Sequence, residues 1–109
     1  MTTLPGAASP IVEEIKVRRY LLSAEHPQNG GKAAFFRAFG FDAAAWTAMR
    51  DALVGHPAAN PVAATKASPH GTKYEVRCSI ATPDGRNPCV TTVWIVEGGR
   101  PPRLVTAYP

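Results

Sequence analysis

The chain has 109 residues, 45% of them hydrophobic, and a formal net charge of +4. These values favour a single globular domain, residues 1–109, that buries one core. The mild basic charge permits an anionic partner without requiring one. No apolar run approaches the roughly 18 residues of a membrane span, and the N-terminus has no signal-peptide segment, so we expect a cytoplasmic domain without membrane contact.

The N-terminal part, residues 9–58, is predicted to be helical, after a flexible terminus formed by residues 1–8. Ser9-Pro10 is typical of an N-cap followed by proline at the first helical position. The segment after it fits either a helix through Leu22 or a short strand, Glu14 to Val17, followed by a brief helix. The pattern leaves both alternatives open.

Two further helices are predicted after a Gly-rich loop. The first runs from Lys32 to Phe39 with a phenylalanine-rich face, and Gly40 ends it in a left-handed conformation. The second runs from Ala43 to Val54 after an Asp42 cap, and Gly55 and Pro57 end it. Residues at helical spacing predict its core face: Trp46, Met49 and Leu53.

Residues 62–109 are predicted to form an antiparallel meander of three or four strands. A weak strand, Val62–Lys66, precedes two arms, Thr72–Thr82 and Asn87–Val96, and Arg103–Tyr108 is the last strand. Helices followed by such a sheet define an α+β fold, with the helices packed on one face of the sheet in two layers.

Asp84-Gly85 between the two arms is a strong signal for a hairpin with a two-residue loop. That loop pairs Tyr74 with Ile95 and Val76 with Val93 on the core face. The opposite face then carries Lys73, Glu75, Arg77 and Ser79 beside Trp94, Thr92 and Val90. Cys78 and Cys89 are expected to be buried thiols, too far apart for a comfortable disulfide.

Recognised catalytic, nucleotide-binding and metal-binding motifs are absent, so no cofactor and no metal is predicted. Lys32 opens a helix, where the dipole disfavours a cation, and an anion bound beside the preceding loop would resolve that misfit. His26 lies in the same loop. His70 in the Pro-His-Gly turn is a weaker candidate, and His56 is expected to favour the carbonyl dipole of a helix end.

Two stretches of the chain resemble an uncharacterised bacterial domain family. The first begins at Tyr20-Leu-Leu, includes His26-Pro27 and Gly31-Lys-Ala-Ala-Phe-Phe36, and ends at Phe41. The second combines Val93-Trp-Ile95 with Arg103-Leu-Val-Thr-Ala-Tyr-Pro109. The resemblance therefore covers roughly Val17 to Pro109.

That family is similar in layout to the barnase–EndoU–colicin–RelE group of ribonucleases, many of which are toxin domains. The resemblance implies a metal-independent endoribonuclease in which the RNA 2′-hydroxyl attacks its own phosphodiester. The family's apparent site residues correspond to His26, Lys32, Thr106 and Tyr108, of which the first three are the predicted catalytic residues. RNA is the implied partner, together with a cognate antitoxin or immunity protein.

The resemblance also places the active surface on the sheet face turned away from the helices. His26 would then be the acid or base, and Glu75 a second candidate base. Lys32 and Arg77 would bind phosphate, with Thr106 hydrogen-bonding to it, and Trp94 or Tyr108 would stack an unpaired base. Two alternatives remain open: a non-catalytic module that binds nucleic acid or protein, and an accessory domain of larger proteins.

Overall fold

Helices precede a four-stranded antiparallel sheet in the computed structural model, as the sequence predicted. The structure describes residues 3–22 and 30–109, except for the side chains of Arg19, Tyr20 and Lys32. The helices are α1 (Glu14–Lys16), which continues as a π-helical turn (Val17–Leu21), α2 (Gly30–Ala38) and α3 (Trp46–Ala59). The strands are β1 (Val62–Ser68), β2 (Gly71–Ser79), β3 (Cys89–Val96) and β4 (Arg103–Tyr108), adjacent in that order.

Helix α3 is longer than the sequence predicted. Asp42 accepts a hydrogen bond from the backbone N–H of Ala44 and caps a 3₁₀ turn, Ala43–Ala45, that leads into the helix. The helix then continues past Gly55 and through Pro57. Pro57 has no N–H to donate to the carbonyl four residues earlier. The helix ends two residues later, where the Asn60 side chain donates to the His56 carbonyl at 3.0 Å.

The N-terminal segment differs from its prediction. Helix α1 begins at Glu14 and not after Ser9-Pro10, because Ile11 instead forms a parallel bridge with Arg103 at the start of β4. The Ile11 N–H donates to the Pro102 carbonyl at 2.8 Å. Within the terminus expected to be flexible, Leu4 is buried in the core, and Gly6 lies so close to Pro102 that a β-carbon there would clash.

One hydrophobic core joins the helices to one face of the sheet. Its buried side chains come from the π-helical turn, from α2 and α3, and from β2, β3 and β4; they include Val17, Leu21, Phe36, Met49, Leu53, Val76, Val90, Trp94 and Leu104. Direct contacts between helix and sheet are nevertheless few, and the most extensive are those of α3 with β2 and β3. The position of α3 therefore depends on a small number of specific interactions.

The β2–β3 register is one residue away from the predicted one, so that prediction is wrong. Tyr74 pairs with Trp94, and Val76 pairs with Thr92. Because side chains alternate between the two faces of a strand, a slip of one residue exchanges every side chain of β3 between core and surface. Trp94 therefore lies on the core face and is fully buried.

The register differs because the connection is longer than the two-residue turn that Asp84-Gly85 indicates. The Ile80 N–H still donates to the Pro88 carbonyl, at 3.0 Å, which leaves residues 81–87 as the loop. Side chains organise it: Asn87 accepts from the Thr82 N–H and Asp84 accepts from the Arg86 N–H, each at 3.0 Å.

The same loop docks on the C-terminal end of α2. The guanidinium of Arg86 lies 4.3 Å from the centre of the Phe39 ring and donates to the Ala38 carbonyl at 2.6 Å. Gly40, with a φ of +100°, lets the chain turn beneath Pro83, as its predicted role as a helix stop requires. This contact ties α2 to the end of the hairpin.

A buried hydrogen-bond chain connects α3 to β2 and β3. His56 is 2% exposed, and its Nε2 lies 2.7 Å from the Cys78 carbonyl, which can only accept. Nε2 therefore carries the proton, and the neutral ring accepts at Nδ1 from the Thr92 hydroxyl at 2.9 Å. Thr92 in turn accepts from Trp94 Nε1–H at 2.8 Å. His56 is thus a buried structural link and does not serve the helix-end role predicted for it.

Replacing Thr92 by Val should destabilise the domain by about 2–4 kcal/mol. The substitution keeps the shape but leaves His56 Nδ1 and Trp94 Nε1–H unpaired in the core. Urea unfolding followed by tryptophan fluorescence measures the change. Thr65→Val on the exposed strand β1 is the matched control and should stay within about 0.5 kcal/mol of wild type. Equal losses of unfolding free energy in the two variants would contradict the buried hydrogen-bond chain.

Stability should also fall on acidification in a way that depends on His56. Burial lowers the pKa of His56 below its ordinary value of 6.5. Below pH 6.5 the unfolded chain therefore binds a proton at His56 that the folded protein does not bind. The stabilisation is therefore complete above pH 6.5 and decreases below it, by up to about 1.4 kcal/mol per pH unit, until the folded-state pKa is reached.

Urea unfolding at pH 7.5, 6.5 and 5.5 would measure this dependence in wild type and in His56→Gln, which offers a donor and an acceptor but does not titrate. We expect the variant to lose less stability between the upper and lower pH. The same acid slope in both proteins would show that other groups cause it.

Candidate functional site on the open sheet face

The sheet surface opposite the hydrophobic core is here called the open face. The strand register places its side chains in three rows, of which the first is Lys66, Lys73, Ile95 and Arg103. The second row is Ala64, Glu75, Val93 and Thr106, and the third is Arg77, Thr91 and Tyr108. Four cations and one carboxylate therefore share this face.

A hydrogen-bonded cluster occupies the second and third rows. The Tyr108 hydroxyl donates to Glu75 Oε1 at 2.9 Å, and Arg77 Nη2 lies 4.0 Å from the same oxygen. Arg77 Nε donates to the Thr91 hydroxyl at 3.2 Å, which holds the guanidinium beside the carboxylate. The Arg77 side chain remains 57% exposed and that of Glu75 35% exposed. Both charged groups are thus oriented by neighbours and still reachable from solvent.

The electrostatics of the cluster assign its protons. The hydrogen bond to Glu75 raises the pKa of Tyr108, and burial and the carboxylate charge act in the same direction. The phenol is therefore protonated at neutral pH and acts as a donor. Glu75 Oε2 receives no hydrogen bond from residues 3–22 or 30–109, so this oxygen is available to accept a proton.

A concave surface lies next to this cluster. A cavity of about 430 Å³ is lined on the β1 side by Ala64, Thr65 and Lys66, and on the other side by Lys73, Glu75, Val93 and Tyr108. The cluster therefore borders a space of the size that small ligands occupy in proteins.

Arg77, Glu75, Thr106 and Tyr108 all lie on the open face, where the sequence analysis placed the active surface. Thr106 is half-buried opposite Val93. Trp94 does not belong to this face: the register puts it in the core with no exposed surface, so its predicted role in stacking a base is wrong.

Sequence reasoning missed Thr91, which the register slip brings to the open face beside Arg77. The signal would have been a hairpin loop with an odd number of residues, 81–87, because such a loop shifts the β2–β3 register by one residue. The predicted catalytic histidine, His26, lies outside the described residues. Lys32 is in the first turn of α2, but its side chain is also outside them, so convergence of these two groups with Thr106 stays a prediction.

The cysteines are exposed, contrary to the prediction that both are buried. A φ of +145° at Cys78 interrupts the alternation of β2, and three consecutive residues there are exposed. The hydrogen bond to Cys78 raises the pKa of the Cys89 thiol. Cys89 is therefore protonated at neutral pH, which disfavours a role as nucleophile.

The described part of the chain contains no group of three or more His, Cys, Asp or Glu side chains that could hold a metal ion. Among the helices within residues 3–22 and 30–109, none has the length and apolarity to cross a membrane.

Helices on one side of an antiparallel meander and a polar cluster on the other define a small α+β domain with an exposed, mainly cationic sheet face. The chain belongs to the family of domains of unknown function DUF6883, which it matches over residues 3–109. No curated protein and no solved structure matches the chain. Membership of an uncharacterised family is thus confirmed, and the link to ribonucleases stays a prediction.

The raised pKa of Tyr108 should depend on Glu75. In Glu75→Gln the ionised acceptor is lost, so the Tyr108 pKa should move back toward its ordinary value of 10.0. Ultraviolet titration, with Tyr108→Phe used to subtract the other tyrosines, would measure it. Glu97→Gln removes one carboxylate outside the cluster and should leave the Tyr108 titration unchanged. An unchanged pKa in Glu75→Gln would contradict the hydrogen bond.

Proposed function

We propose that this domain is a metal-independent endoribonuclease whose active surface is the open face of the sheet. The observation that supports it best is the cluster of Glu75, Arg77 and Tyr108, an oriented carboxylate beside an oriented guanidinium, on the sheet face opposite the hydrophobic core. RNA cleavage without a metal needs a base and a cation placed together in this way.

In the proposed reaction, Glu75 takes the proton of the RNA 2′-hydroxyl through its available oxygen, Oε2. The 2′-oxygen then forms a bond to the adjacent phosphorus, and the bond from phosphorus to the 5′-oxygen breaks. The products are a 2′,3′-cyclic phosphate and a 5′-hydroxyl end. Arg77 stabilises the charge that develops on the phosphoryl oxygens, since its exposed face can donate two hydrogen bonds to them.

The leaving 5′-oxygen needs a proton. His26 is the proposed acid because its unperturbed pKa lies near neutrality, and Lys32 and Thr106 are proposed to bind the phosphate. Tyr108 holds Glu75 in place and offers the only aromatic ring in the three rows of the open face on which a base could stack.

The charge of the open face supports an anionic substrate and, as a regulator, an acidic antitoxin or immunity protein. Lys66, Lys73, Arg77 and Arg103 outnumber Glu75 on this face. An acidic protein that covers it would block access to RNA through complementary charge.

Purified protein incubated with RNA and a chelator should produce fragments that end in 2′,3′-cyclic phosphate. Glu75→Gln should lower kcat about 10²- to 10⁴-fold through loss of the base, and Arg77→Ala about 10²-fold through loss of charge stabilisation. Single-turnover cleavage of a labelled RNA would measure both.

Glu14→Gln and Arg100→Ala are matched controls, since both residues are exposed and lie outside the cluster. They should cleave RNA within about twofold of wild type, as expected for surface residues away from the reacting atoms. The proposal fails if wild type yields no cyclic-phosphate ends, or if the controls lose as much activity as the cluster variants.

A non-catalytic binding module is the second candidate, and the apolar centre of the open face favours it. Val93 and Ile95 lie in the middle of the first two rows, between polar side chains, as in surfaces that bind protein or nucleic acid. His26→Ala separates the candidates: it should abolish RNA cleavage by an enzyme, whereas a binding module should keep its affinity for RNA.

A further inference from the structure

A second cavity, of about 370 Å³, lies at the first row of the open face, away from Glu75. Lys73, Ile95 and Arg103 of that row line it, together with Val105, Lys16 and His70. Its volume lies in the range of sites for small organic ligands. The proposed cleavage reaction does not use these groups.

The β1–β2 turn gives this cavity a defined wall. Ser68 donates to the Gly71 carbonyl at 2.7 Å across the two-residue turn that contains His70. Gly71 has a φ of +137°, and a β-carbon there would lie 2.5 Å from the Val96 carbonyl oxygen. Only glycine fits this approach, so the turn and His70 are held against the end of β3.

The cavity has an apolar floor and a basic rim. Ile95, which is 7% exposed, and the half-buried Val105 line it and provide an apolar surface against which a flat ring can pack. Three cations line the rim, Lys16, Lys73 and Arg103, together with one carboxylate, Glu13. Arg103 is also paired with Glu97 at 2.9 Å, outside the lining. Such a site favours a ligand that combines a planar apolar part with a negative charge, as a nucleotide does.

Lys73 connects this cavity to the candidate active site. It lines both cavities, and it lies two residues before Glu75 on the same face of β2. Two residues along a strand span about 7 Å. A polynucleotide whose reacting phosphate lies at Glu75 would therefore bring its neighbouring nucleotide to the second cavity.

We infer that this cavity is a nucleotide-binding subsite that holds the nucleotide adjacent to the cleaved phosphate of an RNA strand. The inference rests on the proposed function, since it uses RNA as the substrate. The base packs on Ile95 and Val105, and Lys73 and Arg103 bind the phosphate. Ser68, His70 and Glu13 are close enough to the cavity to hydrogen-bond to the edge of the base.

Binding of AMP, CMP and inorganic phosphate to the full chain would test this, with amide chemical shifts as the readout. AMP and CMP should perturb Ser68, His70 and Ile95, and inorganic phosphate should bind at least about tenfold more weakly because it has no base. Perturbation confined to other residues, or phosphate binding as tight as AMP binding, would overturn the subsite.

Two kinds of variant make the test specific. Lys16→Ala with Arg103→Ala removes two rim cations, and Val105→Phe fills the cavity without changing charge. Each should weaken AMP binding roughly tenfold. The control, Arg18→Ala with Arg100→Ala, makes the same change of charge outside the cavity. An equal loss of AMP affinity in the control would show that net charge, and not the cavity, causes the effect, and would overturn the proposal.

The subsite and the ribonuclease proposal fail in different ways. AMP binding is observed directly in a protein that need not cleave anything. Wild-type protein that binds AMP at Ile95 but cleaves no RNA would overturn the proposed function alone. Protein that cleaves RNA but leaves the Ser68, His70 and Ile95 amides unperturbed would overturn the subsite alone.

Discussion

The hydrogen-bond chain from Trp94 through Thr92 and His56 to the Cys78 carbonyl sets the arrangement of this molecule. Helix–sheet contacts are few, and this chain joins α3 to two strands with directional bonds inside the core. It also determines which face of β3 is buried. Since Thr92 must reach His56, residues two positions away along the strand point inward with it, and the residues between them point outward. The open face is the consequence.

The buried hydrogen-bond chain also explains why the Asp84-Gly85 turn pattern was misleading. Asp84-Gly85 has the residues of a two-residue turn, and that turn would have put Val93 in the core and Trp94 on the surface. In the structure, side chains of Asp84 and Asn87 organise a longer loop, and Arg86 fastens it to α2. The contact of Arg86 with α2 joins residues far apart in sequence, so a local pattern cannot contain it. The burial of Trp94 with its N–H bonded is likewise a property of the whole core.

What the sequence did predict follows from local chemistry. Alternation of apolar and polar residues located β2, the Asp42 cap and Gly40 marked helix boundaries, and helices before a meander defined the fold class. The candidate site was predictable to the extent that it lies on β2 and β4, because Glu75 and Arg77 share a face whatever their partner strand. Its β3 members, such as Thr91, depend on the register, which is a tertiary property.

The position of Glu75 distinguishes between uses of the open face. A surface that only bound phosphate would gain from four cations and lose affinity through a carboxylate among them, because like charges repel. Glutamine at that position would still accept from Tyr108 without repelling the ligand. The chain instead keeps an ionisable group, held by Tyr108 on one oxygen and open on the other. A base that abstracts a proton must present a carboxylate oxygen to the substrate, and Oε2 of Glu75 is placed to do so. In the proposed ribonuclease, Glu75 therefore lowers the affinity for RNA but supplies the base that cleavage requires.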